Sequence, residues 1–188
     1  MSPGVLSDFH ERIISVLGQV EERDFDLLND QLLRLDTHNG KPITIYLSAK
    51  GGNLVDVLKV VDVVATLRST TVGIGMGLLE GASAAILIAM QKRIMMPSAL
   101  LFLSGLWNLP SHQENVGLHP VSTTSLQTHL HQRLNELETH SPQLAQLVRE
   151  AEKQPRFITA SEALQLGLCD QIHGLEDIQN KTRRHHVR

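Results

Sequence analysis

The segment 79–90 constrains the fold more than any other stretch of this chain. It reads as a nearly all-apolar helix, rich in small residues. A helix that is apolar on every side must be covered on every side. In a chain of 188 residues, a length that fits one domain, such a helix needs layers of structure around it. Aromatic residues are only 3% of the chain, so those layers must be built from Leu, Ile, Val, Ala and Met.

The neighbouring segments supply the layers. Residues 13–17 read as a short strand ended by Gly18. Residues 22–35 read as a helix with Leu27, Leu28, Leu32 and Leu35 on one apolar face. Asn39-Gly40 signals a turn. Residues 42–47 read as a strand, rich in β-branched side chains and broken by Lys50-Gly51-Gly52. Residues 54–67 predict a second helix, with Leu54, Val57, Leu58, Val61 and Val64 inward. Residues 70–74, 94–96 and 99–103 read as further strands. Strands and helices thus alternate from 13 to 103, which predicts βαβ units and a mostly parallel sheet.

Beyond residue 103 the texture changes. Residues 108–124 have no period and read as an irregular segment. Residues 124–138 predict a helix with a stripe of Leu126, Leu130, Leu134 and Leu137, and Ser141-Pro142 restarts it over 143–153. That stripe either packs on another subunit or lies on the sheet. Thr159-Ala-Ser-Glu162 is a capping box opening a short helix, and Gly167 is placed to end it.

Composition excludes several classes. A net charge of −3 gives no footprint for nucleic acid. The single cysteine, Cys169, permits no internal disulfide and reads as a small buried hydrophobe. Residues 1–10 show no basic stretch leading into an apolar run. The apolar stretch 82–90 is far short of the ~20 residues that cross a bilayer. A cytoplasmic protein without membrane contact is expected. The basic end, 181–188, reads as a solvated tail.

Two segments carry chemistry. Tyr46-Leu-Ser-Ala-Lys-Gly-Gly52 ends a strand in backbone N–H groups, at the sheet edge where α/β proteins place ligands. Ile74-Gly-Met-Gly-Leu-Leu-Glu-Gly-Ala-Ser83 is a glycine-rich junction that allows close backbone approach.

With their surroundings, these segments resemble the proteolytic subunit of the Clp protease family, from about residue 6 to 174. The 46–52 segment is similar to that family's Tyr-Ile-Asn-Ser-Pro-Gly-Gly. Lys92-Arg93 and Pro97 fall on its Lys-Arg and Leu-Pro. Arg156-Phe-Ile-Thr-Ala matches its closing Arg-Phe-Leu-Ser-Ala. The resemblance implies a layered α/β fold shared with crotonases, with a mostly parallel sheet and a projecting helical handle at 124–153. Residues 11–174 would form the domain, with a short segment 1–10 before it and the tail 175–188 after it.

The family's chemistry is Ser-His-Asp peptide hydrolysis. Counting from Gly75 puts the serine's position at Leu79, with Gly81, Arg93 and Pro97 then fitting without a gap. Counting from Pro97 puts the histidine's position at Ser104. The aspartate's position, immediately before Arg156, is Pro155. None of the three keeps the required side chain. Each loss alone lowers a triad enzyme's rate by roughly 10⁴ or more. Backbone N–H groups of Gly51 and Glu80 could still supply an oxyanion hole.

The resemblance therefore implies an inactive subunit of an ATP-dependent protease core, without cofactor or metal. Its partners would be Clp-type subunits in stacked seven-membered rings, with a Clp ATPase and unfolded polypeptide beyond them. Only about ten residues precede the strand at 13, which weakens the expectation of the family's gated axial loops and of unfoldase docking through them. Two alternatives keep activity. One is a peptidase whose site has moved to Ser83 or His112, against the plainer readings of a packed serine and an exposed loop histidine. The other is a crotonase-like acyl-thioester enzyme using Glu80 as general base. His129, His131 and His140 lack the i,i+4 spacing of a helical zinc pair.

Overall fold

The computed structural model describes residues 4–52, 54–103 and 154–174. The elements run β1 (Val5–Asp8), β2 (Ile13–Val20), α1 (Glu22–His38), β3 (Ile43–Gly51), α2 (Leu54–Thr66), β4 (Thr71–Gly75), β5 (Leu78–Glu80), α3 (Ala82–Ala89), β6 (Lys92–Met95), β7 (Leu100–Leu103), β8 (Arg156–Thr159), α4 (Ala160–Gln165) and β9 (Gln171–Ile172).

They build two sheets. The larger has the order β1-β2-β3-β4-β6-β9 and is parallel except where β1 meets β2. The smaller has the order β5-β7-β8, with β5 parallel and β8 antiparallel to β7. The alternation in β3 shows how sequence builds this. Ile43, Ile45, Leu47 and Ala49 are buried, while the residues between them are only half covered. The α/β class and mostly parallel sheet expected from the alternation are present.

Helix α3 sits at the centre. Ala82, Ser83, Ala84, Ile86, Leu87 and Ile88 are all buried, as an all-apolar helix requires. It starts later than the sequence suggests. Residues 78–80 are a strand, because β5 finds a parallel partner in β7. Gly81, at φ +57, makes the sharp turn from strand to helix that a residue with a Cβ resists. The Gly81 N–H is spent on the Phe102 carbonyl at 3.1 Å.

Other expectations need smaller corrections. The strand at 13 does not stop at Gly18. It runs to Val20, held by pairing of Gln19 with Lys50 and Val20 with Gly51. A further strand, β1, precedes it, and the Asp8 carboxylate accepts the N–H groups of His10 and Glu11 in the turn between them. The inner face of α1 is Phe25, Leu28, Leu32 and Leu35; Leu27 is off that face and 40% exposed. The inner face of α2 centres on Val57, Val60 and Val64, with Leu58 and Val61 at its flanks. The predicted capping box is in place. Thr159 Oγ1 accepts the Glu162 N–H, and the Glu162 carboxylate accepts the Thr159 N–H at 2.8 Å. Gly167, at φ +70, follows that helix as expected.

One buried charge organises the bottom of the sheet. Arg12 is 5% exposed. Its guanidinium donates to the carbonyls of Leu35, Lys41 and Pro42 and to Ser69 Oγ. It thereby caps the end of α1 and holds the turn into β3. Asp36 accepts the N–H groups of Ser69 and Arg68 at 2.7 and 3.0 Å. Burial alone would raise the Asp36 pKa, but the Ser69 and Arg68 hydrogen bonds outweigh it and leave the carboxyl below its usual range.

Candidate functional site

The C-terminal ends of β2 and β3 open onto a cleft of about 420 Å³ lined by Gly18, Gln19, Ser48, Ala49, Lys50 and Leu78. Ligand sites in α/β sheets sit at this end of the strands. The cleft lies beside the glycine-rich junction singled out in the sequence.

The ladders fix which way the backbone N–H groups near this cleft point. In a parallel pair, alternate residues bond to the same neighbour. Ile43 donates to Thr70 and Leu47 accepts from Met76, whereas Thr44 donates to Arg12. Odd-numbered residues of β3 therefore face β4, and even-numbered ones face β2. Strand β4 ends opposite Leu47, so the Gly51 N–H is on the side where the ladder has stopped. In β5, Gly77 accepts from Leu100 and Gly81 donates to Phe102. The Glu80 N–H alternates away from β7, toward β3, which packs against β5.

Gly51 has φ +99, and a Cβ there would lie 2.5 Å from the Val20 carbonyl oxygen and 2.6 Å from Gln19 Nε2. Only glycine can bring the backbone this close.

The small sheet brings together the three segments that carry the counted positions. Leu79 is in the middle of β5, opposite Leu101. Leu103, the last residue of β7, pairs with Arg156, the first of β8. Position 104 follows Leu103 and Pro155 precedes Arg156. Pro155 is exposed. Ser104 lies outside the described residues, as do His112, His129, His131, His140 and the stripe of Leu126, Leu130, Leu134 and Leu137.

Leu79 has 0% exposure and sits in a row with Leu101 and Ile158, both also at 0%. Its two terminal methyls approach Gly75 so closely that a Cβ there would be 3.3 Å from each. This position belongs to the core. Glu80, half exposed, points to the other face of the small sheet, in a row with Phe102 and Phe157. Those two rings stack at 4.4 Å.

Ser83 is 1% exposed. Its hydroxyl donates to the Ala49 carbonyl at 2.5 Å, and the Glu80 carbonyl lies 3.1 Å from it. It ties the first turn of α3 to the end of β3. Cys169 is 2% exposed, and burial pushes its thiol pKa up, with Asp170 adding to the effect. A neutral buried thiol is a packing group. Among the described residues no group of three or more His, Cys, Asp or Glu side chains is placed to hold a metal. No described helix is long and apolar enough to cross a membrane.

Comparison with known families decides what this arrangement belongs to. The family model for Clp protease matches residues 5–176. The chain belongs to the Clp protease family. The fold is also that of a solved member, an asparagine-to-aspartate mutant of ClpP1 from Listeria monocytogenes. The similarity has a TM-score of 0.69 at 17% identity, and covers 87% of this chain and 92% of that one.

Within this Clp-type framework, sequence reasoning missed the side chains of the cleft itself, Gln19, Ser48 and Lys50. A signal was present. Ser48 and Lys50 stand where the family's segment has asparagine and proline, so Lys50 puts a flexible cation where the family has a rigid ring.

Proposed function

We propose that this chain is a non-hydrolytic subunit of a Clp-type proteolytic core, contributing to assembly or regulation of the ring rather than to peptide cleavage. The burial of Leu79 carries the reading. A residue at the position of the attacking serine has no hydroxyl, and its side chain is part of the apolar core rather than of the cleft. No general base stands at the counted histidine position and no acceptor at the counted aspartate position. Acyl transfer by such a site has neither a nucleophile nor a route for its proton. Ser83 does not replace the nucleophile, since its hydroxyl is buried and committed to the Ala49 carbonyl. The N–H groups of Gly51 and Glu80 remain as an oxyanion-type pair.

Two measurements made together test the proposal. The particle mass of the purified protein, alone and mixed with a triad-bearing Clp subunit, should show a ring or its incorporation into one. A serine-reactive fluorophosphonate probe should label the active partner and leave this chain unlabelled. A strict monomer under both conditions overturns the assembly half, and labelling of this chain overturns the non-hydrolytic half.

A further inference from the structure

The side chains around the cleft share one property. Lys50 Nζ, Gln19 Nε2 and Ser48 Oγ are all hydrogen-bond donors. None has a hydrogen-bond or ion-pair partner among the described residues. Ser48 and Lys50 are two apart on β3 and so lie on the same face of the strand. Gln19 is paired with Lys50 across the β2–β3 ladder. Leu78, 40% exposed, adds an apolar surface beside them. Nothing acidic lines the cleft.

A concavity lined by one cation, two neutral side chains able to donate, no carboxylate and one apolar neighbour suits a monoanion carried on an aliphatic or peptide body. We infer that the cleft binds the free C-terminal carboxylate of an extended peptide, with Lys50 as the charge partner and Ser48 and Gln19 as neutral donors. The peptide's own carbonyls then meet the N–H groups of Gly51 and Glu80. A phosphate dianion fits less well. It calls for more positive charge, or a bidentate guanidinium, than the single Lys50 supplies. Peptide termini of this kind are what neighbouring hydrolytic subunits release. The inference rests on the non-hydrolytic reading, because the peptide is held and not cut.

The test uses the full chain and fluorescence anisotropy with a labelled hexapeptide, in free-carboxylate and C-terminally amidated forms. The carboxylate form should bind at least 10-fold more tightly. Lys50→Gln should remove that preference, and Lys50→Glu should reverse it. Lys50 is exposed, so neither change threatens the fold. Inorganic phosphate should compete no better than acetate. Equal binding of the two peptides, unchanged preference in Lys50→Gln, or superior competition by phosphate overturns the inference. Mass spectrometry of the peptide after incubation separates the two readings. Cleavage sinks the non-hydrolytic proposal, whereas an intact peptide that binds without carboxylate preference sinks only this one.

Discussion

Arg93 and Asp170 clamp the start of β9 onto the sheet. The Asp170 carboxylate accepts from the Arg93 backbone N–H at 2.8 Å, from Nε at 3.1 Å and from the second guanidinium nitrogen at 2.5 Å. The Asp170 N–H returns a bond to the Arg93 carbonyl at 2.8 Å. Strand β9 begins at the next residue and pairs with β6.

This clamp makes stability depend on pH. The Arg93 hydrogen bond, opposed by partial burial, holds the Asp170 pKa below the usual carboxylate value. A carboxyl lowered in the folded state stabilises above its unfolded pKa, and that contribution fades as pH falls through the folded value. Thermal unfolding between pH 7 and pH 2 should therefore show a steeper acid loss for the native chain than for Asp170→Asn. Because Asp170 is 41% exposed, solvent screening limits the loss in Asp170→Ala at pH 7 to about 1 kcal/mol. Identical acid profiles for the native and Asn forms would count against the clamp.

Leu79→Ser should not create a peptidase. It removes a fully buried leucine and leaves a hydroxyl in an apolar row, at a cost of about 3 kcal/mol. Denaturant unfolding should show the loss, and fluorophosphonate labelling should stay at background. A labelled, stable Leu79→Ser protein would mean that the position opens onto the cleft.

Ser83→Ala should cost about 1–2 kcal/mol, since the Ala49 carbonyl loses its donor in a buried place. Any peptidase or thioesterase trace in the native protein should be unchanged by it. A trace that disappears in Ser83→Ala would restore the relocated-site reading.

Arg12→Ala should be the most damaging single change of this set, about 3–5 kcal/mol, because the buried Leu35 carbonyl and Ser69 hydroxyl and the part-buried Lys41 and Pro42 carbonyls lose their donor together. Arg12→Lys should recover only a minority of the loss, as one ammonium cannot span the same acceptors. Chemical unfolding midpoints of the three proteins decide it. Full recovery by lysine would show that charge, and not the fork geometry, is what the site needs.

What was legible in the sequence follows from where the determining interactions lie. The start of strand β3, the core helix and the Thr159–Glu162 capping box are readable because their signals are local: a run of β-branched residues, an all-apolar run, and a three-residue spacing; the extension of β3 through Lys50 to Gly51 rests on its pairing with β2. Strand β5 is not. Leu79 and Glu80 look like the start of the helix that follows, and only the distant partners Leu101 and Phe102 make them a strand. The burial of Arg12 was hidden for the same reason. A charged side chain reads as surface, and its acceptors, Leu35, Lys41, Pro42 and Ser69, lie 23 to 57 residues away. At the site, counting puts Leu79 where the resemblance places the family's serine. Only the three-strand row with Leu101 and Ile158 shows that its side chain is buried in the core.

The link between Arg93 and Asp170 spans 77 residues, and this has a consequence for biosynthesis. Strands β1 to β4 and β6 all lie before residue 96 and can pair as soon as they leave the ribosome. The outer edge of β6 then waits for β9, made last among the described strands, with its backbone donors and acceptors unpaired. An open parallel edge is a template for wrong partners. For the several seconds needed to add those residues at about 5–20 per second, the edge at Lys92–Met95 is open to pairing with other chains.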